Sequence, residues 1–374
     1  MVPRQTVRLG RGTAQHRGVL YQGNRPGSHG RRAWVVLHGV SCLGAEHPSL
    51  VRFASALAGS GATVLIPEVE PWKQLSLDPA PGQQAIRLAV DELTSEEGAT
   101  RAPSVGLVGF SFGCPQVILA GTDPYIADRI SGIVGFGGYG DLEATVHFGL
   151  TGQFQAAGAT HWLRPDPYGR WIVASNYLPR VPGFESATDV AAALKQLATL
   201  AGQRKIMSWD RRYDPAKDEM EVQIAPERRE LFRLFAPPAD REPDLDYATE
   251  LAPLIAAAAR TTHPDLDPLP TLTQRPPPLR LFHGRQDHLV PYVETLALER
   301  NLPDGTDVRV TVTDLFAHSQ EHSGAQINVR ELMRFYGALR GVMQLPDQWA
   351  RRHLRSATPQ PAEPPPGSPG PGLR

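Results

Sequence analysis

The chain has 374 residues, 41% of them hydrophobic, enough for one large α/β domain or two small ones. Lys plus Arg total 38 against 39 Asp plus Glu, a balance that points away from nucleic acid or an anionic membrane as partner. Two cysteines, Cys42 and Cys114, are too few for a disulfide framework and fit a reducing compartment.

The opening MVPRQTVRLGRGTAQHRG is basic but lacks the apolar stretch of a secretory signal. No run reaches the ~18 apolar residues of a membrane helix. A soluble, cytoplasmic protein is therefore expected. TVRLG (6–10) and RGVLYQG (17–23) read as an antiparallel edge pair. RAWVVLHG (32–39) is a short continuous apolar run ended by glycine. The same style recurs in ATVLIPEV (62–69), SVGLVGF (104–110), ISGIVGFGG (130–138), PLRLFHG (278–284) and DVRVTVTD (307–314). Such runs suit strands buried on both faces of a parallel sheet. Helical patterns lie between them. HPSLVRFASALAGSG carries an apolar face and then stops at glycines; GQQAIRLAVDELTSEEG places Ile86, Ala89, Val90 and Leu93 on one side; SGAQINVRELMRFYGALRGV reads as a last helix. The alternation predicts a doubly wound, mostly parallel α/β sheet.

From about Asp141 to Arg275 the rhythm breaks, with helical patterns but no strand alternation. SATDVAAALKQLATLAGQ opens on a Ser/Thr/Asp cap cluster, and PERRELFRLFAPP and YATELAPLIAAAARTT follow. The segment is too long for an ordinary loop. The expected organisation is a core of 1–140 and 276–350, a helical lid over 141–275, and a disordered Pro/Gly-rich tail over 356–374. QFQAAGATHWLRPDPYGRWIVASNYL concentrates Trp162, Tyr168, Trp171 and Tyr177, which either line an acyl pocket or pack the insertion onto the sheet.

LVGFSFGCP (107–115) sets a serine between glycines where a strand gives way to a helix. A sharp strand-to-helix turn forces its residue into strained backbone and crowds the neighbours, which Gly109 and Gly113 relieve by lacking Cβ. Ser111 then stands at the carboxyl end of the sheet, beside a helix N-terminus whose free N–H groups suit a developing oxyanion. Pro115 falls in the first helical turn, where a missing N–H costs least. This is the Gly-x-Ser-x-Gly nucleophile elbow. A serine needs a base, and the base an orienting acid, each beyond a later strand. LRLFHGRQDHLVP supplies Asp287, and VRVTVTDLFAHSQEH supplies His318. Asp141 is a second candidate acid and His322 a second candidate base. His288 should point away from Asp287, and His283 and His38 read as structural.

VVLHGV, GFSFG, HGRQDHLVP and AHS together resemble the α/β-hydrolase superfamily over roughly residues 30–145 and 275–345. The resemblance implies serine-based acyl chemistry without naming a substrate. It implies an oxyanion hole made by the backbone N–H groups of Phe112 and Val40, with Ser41 as the alternative to Val40. The expected reaction cleaves a carboxylic ester or related acyl bond through Ser111, His318 and Asp287; the same residues would also serve an amidase or peptidase, and a non-catalytic binding protein on this fold is the competing class. No metal or organic cofactor is called for, and a small acyl molecule is the expected partner. Cys42 and Cys114 fall in the two loops around the serine, as small fillers or as a redox-sensitive pair.

Overall fold

The computed structural model describes residues 2–10, 16–23, 32–204, 206–315 and 329–355. The expected tail over 356–374 lies outside the described residues. Strands β1 (Arg4–Leu9), β2 (His16–Gln22), β3 (Ala33–Leu37), β4 (Thr63–Pro67), β5 (Val105–Phe110), β6 (Ile130–Phe136), β7 (Gln153–Ala156), β8 (Ala159–Trp162), β9 (Leu279–Gly284) and β10 (Val308–Thr313) follow in chain order. Eight of them form one sheet in the order β1-β2-β4-β3-β5-β6-β9-β10. β1 pairs antiparallel with β2, and β2 with β4. The other pairings are parallel. The edge pair and the parallel run both match the sequence expectation.

Continuous apolar runs become strands here because both faces of the sheet are covered. Val35, Leu37, Leu65 and Leu107 point into one core, with Ile86, Ala89 and Val90 of helix Ala80–Thr94 and Val117 of helix Gly113–Ala120. Trp34, Val36, Val64, Ile66 and Val108 alternate into the other, against Leu50, Ala54 and Leu57 of helix Pro48–Gly59. Leu345, which opens helix Leu345–Arg355, closes that second core. The chain leaves β3 toward β4 on one side and returns to β5 on the other, so the order reverses beside β3 and β5. A crevice at the carboxyl ends of the strands is expected at such a point.

Between β6 and β9 run the helices Leu142–Thr151, Pro167–Tyr177, Thr188–Gln203, Asp214–Val222, Arg229–Phe235 and Leu245–Thr262. Trp171, Tyr177, Leu194, Phe232 and Ala252 of this insertion are buried in the same core as Trp72 and Leu107. Two features depart from the sequence reading. β7 and β8 form an antiparallel hairpin whose turn residues Ala157 and Gly158 have φ of 51° and 80°. Positive φ at both turn positions is the hairpin-favouring geometry, but an Ala there and mostly polar strands hide it from periodicity. The cap cluster before Thr188 supplies no side-chain cap; Asp189 takes the Arg228 guanidinium at 2.9 Å instead. No helix among the described residues is long and apolar enough to cross a membrane.

Candidate active site

β5 delivers Ser111 to the carboxyl edge of the sheet with φ of 52°, a left-handed backbone that a non-glycine residue adopts only when its surroundings enforce it. They do so here. The Ser111 N–H donates to Phe136 O at 2.7 Å, and the Ser111 carbonyl accepts from the Cys114 N–H at 2.9 Å. A Cβ on Gly109 would run into the Gly113 carbonyl, and one on Gly113 would stand 2.8 Å from His38 O. Both fencing glycines are therefore required by close backbone approach. Ser111 is half-buried, and its Oγ makes no hydrogen bond to any described residue.

The loop after β3 comes up against the serine. A Cβ on Gly39 would lie 3.1 Å from Ser111 Cβ. Among the described residues nothing accepts the Phe112 N–H or the Val40 N–H. Ser41, the alternative donor, closes a turn by accepting from Leu43 N–H at 3.3 Å on its hydroxyl and from Gly44 N–H at 3.0 Å on its carbonyl. The loop is anchored from below by two buried side chains. His38 Nε2 accepts the Val69 N–H at 3.1 Å, so Nδ1 carries the proton and donates to Gly39 O at 2.7 Å. Burial lowers this imidazole to about 4, which keeps it neutral. Glu68 Oε1 accepts the Ala45 N–H at 3.3 Å, with burial raising its carboxyl. Sequence reasoning found His38 as a structural residue and missed Glu68, which no motif marks. The Phe112 ring packs edge-on to Trp72 at 4.9 Å.

Asp287 follows β9 and is only 2% exposed. Its Oδ1 accepts the Leu289 and Val290 N–H groups at 2.9 and 3.1 Å. Its Oδ2 lies 3.3 Å from His283 Nε2. That nitrogen also faces Val290 O at 2.9 Å, and a carbonyl has no hydrogen to give, so Nε2 carries the proton. His283 Nδ1 meets Thr295 Oγ1 at 2.6 Å. His283 is thus structural, as expected, and it also touches the candidate acid. His288 turns the other way, with Nδ1 at 2.7 Å from Arg164 O. Asp141 follows β6, is exposed, and caps helix Leu142–Thr151 by accepting the Ala144 N–H at 3.0 Å. Both candidate bases, His318 and His322, lie outside the described residues. They follow Thr313, the end of β10, which pairs in register with Gly284 at the end of β9.

No family model matches the chain, and no curated protein matches its sequence. Among solved structures, an acylaminoacyl peptidase in complex with Z-Gly-Gly-Phe-chloromethyl ketone superposes at a TM-score of 0.51 and 13% identity, over 92% of this chain and 41% of that one. The chain has the α/β-hydrolase fold. It therefore spans about two fifths of that peptidase's length. Est1E from Butyrivibrio proteoclasticus matches at 12% identity and a TM-score of 0.47, over 91% and 98% of the two chains. Candida antarctica lipase A in its closed state matches at 11% and 0.48, over 92% and 77%.

On this α/β-hydrolase sheet, Ser111, the Val40 loop and the Asp287 loop all leave the carboxyl ends of parallel strands. The insertion's aromatics divide. Trp171 and Tyr177 are packing residues, the indole donating to Phe235 O at 2.8 Å and the phenol to Leu77 O at 3.2 Å. Trp162 is exposed on the hairpin, and Tyr168 is half-buried beside Gly202 and Cys42. Cys42 and Cys114 are free thiols with different neighbours: Cys42 Sγ faces Gly202, whereas Cys114 is buried under Gly135 and Gly138. Burial raises the Cys114 thiol to about 12, which suits a packing residue.

Proposed function

We propose that the chain is a serine hydrolase that cleaves a carboxylic ester or a related acyl bond of a small molecule. The observation that carries this reading is Ser111 held at φ of 52° beside two backbone N–H groups that no described residue accepts. A left-handed serine is costly, on the order of 1–3 kcal/mol, and is kept where strain serves a site. Two unclaimed donors at a helix start and at a facing loop are what a tetrahedral oxyanion needs.

In this mechanism His318 takes the Ser111 proton as Oγ attacks the carbonyl carbon. The Phe112 and Val40 N–H groups hold the oxyanion. The protonated His318 gives its proton to the leaving group as the carbonyl reforms and the acyl-enzyme appears. Water, deprotonated by the same imidazole, then releases the acid. Asp287 orients His318 and stabilises its charged form. Two N–H groups on Oδ1 fix the Asp287 carboxylate, which supports that assignment over Asp141. The 141–275 insertion serves as the lid, with Tyr168 as the aromatic best placed to meet an acyl group. The low cysteine content supports a cytoplasmic location, and the even charge supports a small acyl molecule over nucleic acid or membrane as the partner.

A fluorophosphonate probe and a p-nitrophenyl ester series test the reading. The wild type should be labelled and should turn over esters; Ser111→Ala should lose both, with a rate fall of at least ~10³-fold. Full activity in that variant removes the mechanism. An unlabelled wild type means a binding protein, and faster turnover of amino-acid amides than of esters means a peptidase.

A further inference from the structure

The insertion carries a buried cation that the reaction above does not use. Arg170, on helix Pro167–Tyr177, is 5% exposed. Its Nε donates to Phe235 O at 2.7 Å, the same carbonyl that takes the Trp171 indole N–H, which fixes the plane of the guanidinium. Its two Nη amino groups donate to no described residue, yet they are not sealed in, for the side chain lines an open crevice. The nearest acids, Glu242 and Asp166, act on it through charge but accept no hydrogen bond from it. Asp166 is committed to the Tyr168 N–H at 3.1 Å and to Ser208. Glu242 lies out on the rim, 4.0 Å from Arg164.

The crevice walls add to the positive charge. Lys217, also 5% exposed, donates to Asp214 at 2.9 Å and to Pro237 O at 2.8 Å. Arg164 lies over the Trp209 ring at 5.3 Å. The Arg241 guanidinium has no partner among the described residues. Four cations thus line the crevice against one carboxylate, Glu242. Burying a guanidinium with one hydrogen bond out of five donors is unfavourable unless something compensates it. Burial accordingly lowers Arg170 to about 10.

We propose that this crevice binds a small oxyanion group, carboxylate or phosphate, with two of its oxygens on the Arg170 Nη pair and with Arg164, Lys217 and Arg241 around it. The planar fork left free by the Phe235 bond matches a two-oxygen acceptor, which a point charge would not require. The site borders the candidate acid loop: His288, next to Asp287, meets Arg164 O at 2.7 Å and the Trp209 ring edge-on at 5.1 Å.

Thermal unfolding in inorganic phosphate or succinate, against sodium chloride at equal ionic strength, tests the site without reference to catalysis. Saturating phosphate or succinate should raise the wild-type melting temperature by about 3 °C over chloride. Arg170→Gln removes the fork directly, but Arg170 also holds Phe235 O, so the double variant of half-buried Arg164→Gln and exposed Arg241→Gln carries the decision. That double variant should fold, hydrolyse p-nitrophenyl acetate as the wild type does, and need at least about tenfold more anion for the same shift. No wild-type shift beyond chloride, or an unchanged shift in the double variant, overturns the proposal. The origin of the oxyanion is read from a p-nitrophenyl hemisuccinate. A tenfold higher KM for it in the double variant means that the substrate carries the group. An unchanged KM together with a lost phosphate shift means a separate ligand.

Discussion

Two loops leave neighbouring strands of the sheet, each with an aspartate at the carboxyl end, and they are built differently. The loop after β6 carries Asp141 in solvent, where one oxygen caps a helix. The loop after β9 carries Asp287 at 2% exposure, pinned by two backbone N–H groups and touched by His283. A helix cap tolerates fraying because water can replace it. A buried carboxylate held by two backbone N–H groups on one oxygen and by His283 near the other is fixed in orientation, which an orienting acid requires. One helix, Val293–Asn301, holds both loops. Glu294 accepts the Asp141 N–H at 2.9 Å, and the next residue, Thr295, lies between His283 and Gly138 O at 2.6 and 3.2 Å. What separates the two aspartates is therefore burial and aim, since both loops share one support.

The sharpest test of that contrast is Asp287→Asn. The amide keeps an acceptor for the Leu289 and Val290 N–H groups but removes the charge. Ester turnover is expected to fall ~10³–10⁴-fold with little change in KM, measured by steady-state kinetics. Retention of activity within tenfold would break the contrast and move the role to Asp141.

The shared support gives the next largest effect. Burial pushes the Glu294 carboxyl up to about 7 from its ordinary 4.5, with the Asp141 charge adding to the shift. A carboxyl raised on folding is protonated more readily in the native chain than in the unfolded one. Its stabilising contribution is full below pH 4.5 and is lost as the pH rises through 7. Glu294→Gln fixes the neutral form and can still accept from the Gly140 and Asp141 N–H groups. Urea unfolding should show equal stability to the wild type near pH 4.5, and an advantage on the order of 3 kcal/mol at pH 8. Thr295→Val comes below that. It is close to isosteric but leaves buried His283 Nδ1 without its partner, a loss of about 2 kcal/mol by the same assay.

Much of this arrangement is legible in the sequence. Apolar runs stopped by glycine mark the strands because burial on both faces leaves no polar alternation to blur them. The elbow is legible because its glycines answer backbone crowding, a local constraint. Glu294, Thr295 and Glu68 are not legible, since each satisfies backbone groups that only the folded topology brings near. Arg170 is hidden for the same reason. In sequence it is one cation among many, and its burial depends on Phe235, far along the chain. The choice between Asp141 and Asp287 also stays open in sequence, because both follow a glycine-rich strand end and only exposure tells them apart.

Asp141→Asn is the smallest effect and completes the comparison. Asn caps a helix start nearly as well as Asp, so stability should change by less than ~0.5 kcal/mol. Removing the charge also removes one contribution that raises Glu294, so the pH at which that carboxyl ionises should fall. Ester turnover should stay within twofold, because an exposed cap that already spends an oxygen on Ala144 orients nothing. The variant therefore separates two properties that Asp287→Asn changes together. It moves the titration of the common support while leaving the rate alone. A rate loss of tenfold or more here, with Asp287→Asn near wild type, would show that the loop after β6 supplies the acid and that the burial of Asp287 serves the fold alone.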